Sequence, residues 1–489
     1  MKSISKSLIG MGLAALVLFH GVPALAQDDA LKEILGDIST YQEIVEGIRG
    51  EKFKKDVPAA SQSTEDFAKF VRKSMDEDLP PERLEGWSKA LKLLGVLERD
   101  YDLREGLMEF VVTQAGAYYD PDSKAFYVVM GGLPKAMLRT IVVHELHHAL
   151  QDQLFDLEGM LDRAQKGVNG DAESALSFLV EGEATFVMML DQFKQMGMDL
   201  GQGGPMMEMS LRSLRKVNPT DMPDMGSLLG QVADGDDVDA LKKAMQAARE
   251  MPNFLLRSFS DPYMWGAYAI AKVYGEKGWD GISELFRSPP ASTEVLMHPG
   301  KLLRGDDPPV EIQNPDISSA LGSGWSRTFG DTMGEHGILI ILDEFLSPKK
   351  AAKDPKEKKG DGLEGMMQAL LETSETPGET AAAGWGGDRY DVYESDRGRT
   401  ALAWVTHWDR SKDAAEFFEA YRKAVKARFS STELSSTAYR FRHVIGSDAD
   451  TQNVFGALQD KDVIILIAPT SVPGEKTVDR LLGARRESN

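Results

Sequence analysis

Apolar residues recur at spacings of three and four at Leu31, Ile34, Leu35 and Ile38, and again at Phe67, Phe70 and Val71, which predicts a helical lead-in from Asp28 to about Asp102. Val111 to Tyr119 and Ala125 to Met130, rich in β-branched and aromatic residues, flank the turn Asp120-Pro121-Asp122-Ser123 and predict a β-hairpin that ends at Gly131-Gly132. Leu133-Pro134 opens a helix carried by Met137, Leu138, Ile141 and Val142 to about Leu157. A second helix, roughly Asp171 to Met196, is apolar almost all round apart from Glu181 and Glu183, the pattern of a buried helix.

Gly, Met, Pro and Asp then dominate to about Asp239, which reads as a long loop over the core. Helices resume near Ala240, and Pro289-Pro290 and Pro308-Pro309 bracket an irregular stretch. Ser347 to Gly384 reads as a partly flexible linker with one helical piece at Leu363 to Leu371. Strands at Tyr390 to Tyr393, Leu402 to Thr406, Tyr439 to Ile445 and Val463 to Ala468, with an amphipathic helix from Lys412 to Arg428, complete a small domain. The expected class is α+β: a mainly helical core with a small β-hairpin sheet, plus a C-terminal α+β domain. The expected boundaries are 1–26, 27–110, 111–346, 347–383 and 384–489.

Composition narrows the function. The 489 residues carry a net charge of −21, which argues against a nucleic-acid partner. There is no cysteine, so disulfides, thiolate metal sites and cysteine nucleophiles are excluded, and any metal must sit on His, Asp or Glu. Lys2 and Lys6, the apolar run Leu8 to Phe19 and Ala24-Leu25-Ala26 have the order of a signal peptide. The expectation is export to a periplasm or the extracellular space, with no membrane association once residues 1–26 are removed.

The chemistry concentrates in His144-Glu145-Leu146-His147-His148. On a helix, residues four apart share a face, so His144 and His148 can direct two imidazoles at one ion while Glu145, one step round, takes a proton from metal-activated water. His147 lies about 60° from His144 on the wheel and is either an alternative ligand or solvated. Asp152, four beyond His148, is placed to support the site from outside the ligand set. About thirty residues on, Leu179-Val180-Glu181-Gly182-Glu183-Ala184 puts carboxylates on the buried helix, where each needs a partner or a cation. The wheel leaves both glutamates open as a third ligand. Small and polar neighbours favour Glu181.

The run from His144 to Asp152 resembles the active-site helix of gluzincin metallopeptidases, including thermolysin, and Glu181-Gly182-Glu183-Ala184 resembles the E-G-x-A of their peptidase-MA-like branch. That resemblance implies a zincin-like core, Zn2+ held by His144, His148 and Glu181, Glu145 as general base, and a peptide or protein substrate. Thr185 stands where many gluzincins have an aspartate four residues after the ligand glutamate. Pro262 to Gly266, Ser292 to Pro299, Ala117 to Pro121 and Gly384 to Arg389 are similar to motifs of exported bacterial zincin-like proteins. Within this reading Tyr263 or His298 supplies a second electrophile for the oxyanion, and Ala125 to Met130 offers an edge strand to an extended peptide. A catalytically inactive scaffold of the same fold is the alternative.

Two further features have competing readings. Met196, Met198, Met206, Met207, Met209, Met222 and Met225 suit Cu(I) binding or, more simply, adaptable packing under a lid. Trp385 with its Gly-Gly-Asp turn suggests a surface by which the C-terminal domain holds a protein partner.

Overall fold

A computed structural model describes residues 35–488 apart from 115, 130–134, 168, 199, 217–245, 306, 348–374, 430–431 and 447–450. The signal-peptide pattern, Met222, Met225, Leu133-Pro134 and most of the expected linker lie outside the described residues.

The chain is α+β. Its helical part comprises α1 (Ile38–Arg49), α2 (Thr64–Asp78), α3 (Pro81–Leu94), α4 (Leu103–Gln114), α5 (Lys135–Phe155), α6 (Leu157–Lys166), α7 (Gly170–Gln195), α8 (Leu200–Leu214), α9 (Asn253–Arg287) and the short α10 (Thr293–Met297), α11 (Pro299–Arg304) and α12 (Ser318–Leu321). β1 (Ala59–Gln62), β2 (Ala117–Asp120) and β3 (Ala125–Val129) form a three-stranded sheet within it. The C-terminal part comprises β4 (Trp325–Asp331), α13 (Gly334–Leu346), α14 (Pro377–Ala382), β5 (Trp385–Ser395), β6 (Thr400–Trp408), α15 (Ser411–Phe429), β7 (Thr432–Ser436), β8 (Arg440–Ile445), β9 (Gln452–Gln459), β10 (Asp462–Pro469) and α16 (Gly474–Ser488). Its seven strands pair antiparallel in the order β4-β5-β6-β10-β9-β8-β7.

Both faces of that sheet are covered. Leu402 and Trp404 of β6 and Val463, Ile465 and Ile467 of β10 face α13 and α15, and the alternate residues Ala403, Val405, Ile464 and Leu466 face α16 and Ile317. Strands buried on both faces read as continuous apolar runs. The first of these cores continues into α2, α3 and α4, so one apolar interior joins the two parts.

Several expectations are corrected. Val111 to Gln114 ends α4 rather than starting a strand, and only Ala117–Asp120 pairs with Ala125–Val129. β1 adds to β3 in parallel, with Ala59 opposite Phe126, so β3 is the central strand and not an edge. Residues 200–214 of the expected loop form α8, whose Met207 and Leu211 are buried against the helical core. β4 pairs with β5 across the expected linker, so the seven-stranded sheet draws its first strand, Trp325–Asp331, from before that stretch. Trp385 is 1 % exposed and donates its indole N–H to Asp388, which makes it part of the core rather than a surface for a partner.

Two buried aspartates tie the sheet to the helices. Asn169 caps α7, and Asp331, at the end of β4, accepts the backbone N–H of its first residue, Gly170, at 2.7 Å. Asp388 accepts from the backbone N–H groups of Met333 and Gly334, at the start of α13, and from the indoles of Trp385 and Trp404. Inside the helical part α7 and α9 cross at Gly182 and Gly266. A Cβ on Gly182 would lie 2.3 Å from the Gly266 carbonyl carbon, and one on Gly266 would lie 2.0 Å from the Phe178 carbonyl oxygen. Both obstacles are backbone, so neither can yield cheaply. Gly266→Ala is expected to lower unfolding free energy by about 1–3 kcal/mol. Gly275→Ala on the same helix, where a Cβ meets nothing within 4 Å, is expected to cost nothing. Urea denaturation of both variants checks the contrast.

Candidate metal centre

α5 and α7 lie side by side, and two-turn segments of each face one another. His144 and His148 both project from one face of α5 toward Glu181 of α7. His144 Nε2 is 3.1 Å from Glu181 Oε2, His148 Nε2 is 3.4 Å from the same oxygen, and the two Nε2 atoms are 3.1 Å apart. Ligands about 2.0–2.1 Å from a tetrahedral ion stand about 3.3 Å from one another, so this triangle has the dimensions of one face of such a site. The donor set of two imidazoles and a carboxylate suits zinc. Glu181 Oε1 is buried without a hydrogen-bond partner among the described residues, a vacancy in hydrogen bonding that an ion would relieve. The site residues fit the group.

The electrostatics point the same way. Burial pushes His144 down to about 4 despite the carboxylate beside it. Burial acts in the same sense on His148, but the Glu181 and Glu145 carboxylates outweigh it and lift His148 to about 9. Burial would raise Glu181, yet the two imidazoles hold it below the usual carboxylate range. Two imidazoles and one carboxylate thus share a proton where a cation would sit.

Glu145 is fully buried, and its Oε2 accepts the backbone N–H of Tyr119 on β2 at 3.0 Å. The ligand atoms of His144, Glu145 and His148 all lie within 4.8 Å of one another. β2, rather than β3, is therefore the strand whose free edge meets the helix. Tyr263 of α9 stacks on the His144 ring, with centroids 5.7 Å apart and planes at 18°, and so holds the imidazole's plane.

Other expected roles fall elsewhere. Asp152 accepts from the Tyr119 hydroxyl at 2.7 Å and pairs with Lys124 at 2.9 Å, pinning the hairpin to α5 rather than supporting a ligand. The contact to His148 Nδ1 is made by Gln151 Oε1 at 2.8 Å, a residue missed from sequence although it lies three positions on, over the same face. Glu183 is not near the triangle: its carboxylate meets Arg49 Nε at 2.7 Å, Gln151 Nε2 at 2.8 Å and His147 Nε2 at 3.1 Å. His147 is accordingly neither in the triangle nor solvated. His298 Nε2 pairs with Glu335 at 2.7 Å, and its charged neighbours are Glu335, Glu294 and Lys301, so the structure does not bring it to the centre. A second acidic group, Glu294, Asp307 and Asp409, is closed around Lys301 Nζ at 2.6, 2.5 and 3.0 Å, which already supplies its counter-charge.

A cavity of about 240 Å³ reaches Glu181 and Tyr263 from between α7 and α9. Phe254, Phe259, Trp87 and Tyr390 give it apolar walls, while Ser174, Ser177, Asp171 and His336 add polar groups. Pro262 within α9 has no N–H to give the Ser258 carbonyl, and both residues line this cavity. His336, whose Nε2 is 3.0 Å from Asp261, also escaped the sequence reading, because nothing near it in the chain marks a motif.

A sequence family described as a domain of unknown function (DUF8575) matches residues 325–478, which is the stretch from β4 into α16. No curated protein and no solved structure matches the chain.

Because the Glu181 and Glu145 carboxylates raise His148 above its ordinary value, an ion taking its Nε2 is expected to displace a proton. Calorimetric Zn2+ titration near neutral pH, repeated in buffers of different ionisation enthalpy, is expected to show about one proton released per ion. Affinity is expected to fall up to about tenfold per unit as pH drops.

Proposed function

We propose that the protein is an exported zinc-dependent peptidase of gluzincin type, with His144, His148 and Glu181 as ligands and Glu145 as general base. The observation that carries this reading is the 3.1–3.4 Å triangle of Nε2, Nε2 and Oε2 atoms beside a buried glutamate. The resemblance of the His144 and Glu181 motifs to gluzincins supports peptide hydrolysis as the reaction class.

When bound, zinc supplies Lewis-acid activation of water and of the scissile carbonyl. Glu145 takes the proton of the attacking water and returns it to the leaving amine. Its hydrogen bond from Tyr119 N holds one carboxylate oxygen in place while burial keeps bulk water from competing. Tyr263 shares the cavity with Glu181 and is the side chain placed to donate to a developing oxyanion; His298, engaged by Glu335, and His336, engaged by Asp261, are not. With β3 enclosed between β1 and β2, the substrate backbone enters through the cavity between α7 and α9 rather than pairing with β3. The Ser258 carbonyl, released by Pro262, is an acceptor for a peptide N–H there.

One observation favours a metal-stabilised scaffold instead: His144, Glu145 and His148 are all at most 3 % exposed, and the cavity reaches Glu181 without reaching them. Cleavage decides between the two. Against a broad peptide library the zinc-loaded protein is expected to be active. Glu145→Gln should retain zinc and lose about 10²–10⁴ in rate. His144→Ala and Glu181→Ala should each lose the ion. Zinc binding that raises thermal stability with no cleavage would establish the scaffold.

Export rests on residues 2–26 alone, and no described helix is long and apolar enough to cross a membrane. Intact-mass analysis of the protein expressed with its full N-terminus in a secreting host is expected to give a chain beginning at Gln27.

A further inference from the structure

Gln151 sits among groups whose polarity is fixed. Its Nε2 faces the Val180 carbonyl oxygen at 3.0 Å and Glu183 Oε2 at 2.8 Å, both of which can only accept. The amide therefore has one workable orientation, with Oε1 toward His148 Nδ1 at 2.8 Å. Since Oε1 also only accepts, Nδ1 must carry the hydrogen. The lone pair of the neutral ring is then on Nε2, the atom at the corner of the triangle.

The chain continues outward. Glu183 Oε1 accepts from Arg49 Nε at 2.7 Å, and Arg49 Nη2 donates to Ser283 Oγ at 2.8 Å. The guanidinium lies 4.7 Å above the Trp279 ring. Arg49, Glu183, Gln151 and His148 are each at most 2 % exposed. An ion pair needed only to join α1 to α7 would not require an amide turned toward an imidazole on a third helix.

We propose that Gln151, Glu183 and Arg49 are positioning residues that fix the tautomer and ring plane of His148 for ligation. The last residue of α1 and the segment after the break in α9 at Gly278 thereby support the metal centre without touching the ion. The inference rests on reading His144, His148 and Glu181 as an ion site. Such partners typically set metal affinity by about 10–100-fold.

The test is Zn2+ competition titration against a chromophoric chelator on the full chain, with thermal melts of each metal-free variant. Gln151→Leu, which leaves Nδ1 without an acceptor, is expected to weaken Zn2+ binding by about 10–100-fold. Gln151→Glu alone sets two carboxylates together and is expected to weaken it at least as much. Combined with Glu183→Gln, the same substitution keeps an oxygen toward Nδ1 and restores a donor–acceptor pair between positions 151 and 183, while the Val180 carbonyl loses its donor and the His147 contact is disturbed, so it is expected to recover part of the affinity lost in Gln151→Glu. A packing role would not produce that rescue. In ¹⁵N-histidine spectra of the metal-free wild type, at a pH where the His148 ring is neutral, its proton is expected on Nδ1, a readout that stands even where Gln151→Leu fails to fold.

Wild-type affinity unchanged in Gln151→Leu, absence of rescue in the double variant, or a proton on Nε2 each overturns the positioning role while leaving the ion site standing. Failure of the wild type to bind Zn2+ overturns both.

Discussion

Two carboxylates two residues apart, on different faces of a dry helix, are the constraint around which the rest is arranged. Glu181 and Glu183 are at most 2 % exposed on α7, and an isolated charge at either position would cost several kcal/mol. Glu183 is answered by Arg49, His147 and Gln151, which hold it down to about 2 although burial alone would raise it. Glu181 is answered, among the described residues, by the His144 and His148 imidazoles at Oε2 alone. Both oxygens of Glu183 meet a donor and Oε1 of Glu181 meets none among the described residues, and that asymmetry separates an anchoring residue from a candidate ligand on the same helix.

The surrounding architecture holds that helix from three directions. Asp331 of β4 accepts from its first residue, α9 presses backbone against it at Gly182 and Gly266, and α1 reaches it through Arg49. The region matched by the DUF8575 family therefore does more than sit beside the helical part: its first strand supplies an acceptor for the first N–H of α7. Asp388 fastens α13 by its N-terminus and two indoles, and α13 carries His336 into the cavity. Sheet and helices meet at the cavity wall rather than through a linker.

Legibility in the sequence followed burial and locality. The α+β class, both helices that carry the candidate site and the runs Leu402–Thr406 and Val463–Ala468 could be read because their apolar patterns are uninterrupted. β7, exposed at every position, and β9, interrupted by Asn453 and Gly456, carried no such pattern and went unread. β1 is four residues of Ala, Ser and Gln, so nothing warned that it would enclose β3. For the candidate site, His144, Glu145 and His148 were marked by spacing within one helix and Glu181 by its motif. Gln151, Arg49 and His336 were not marked, since their roles depend on partners 29 to 134 positions away or on a cavity wall.

The contact between Gly182 and Gly266 carries one more implication. Backbone contact there fixes the spacing of two of the helices that line the cavity, while its other walls are side chains such as Trp87, His336 and Tyr390. Changes in what the cavity admits, whether by evolution or by engineering, would have to come from its lining, at positions such as Ser174, Ser177 and Phe259, because that helix pair has no slack to give.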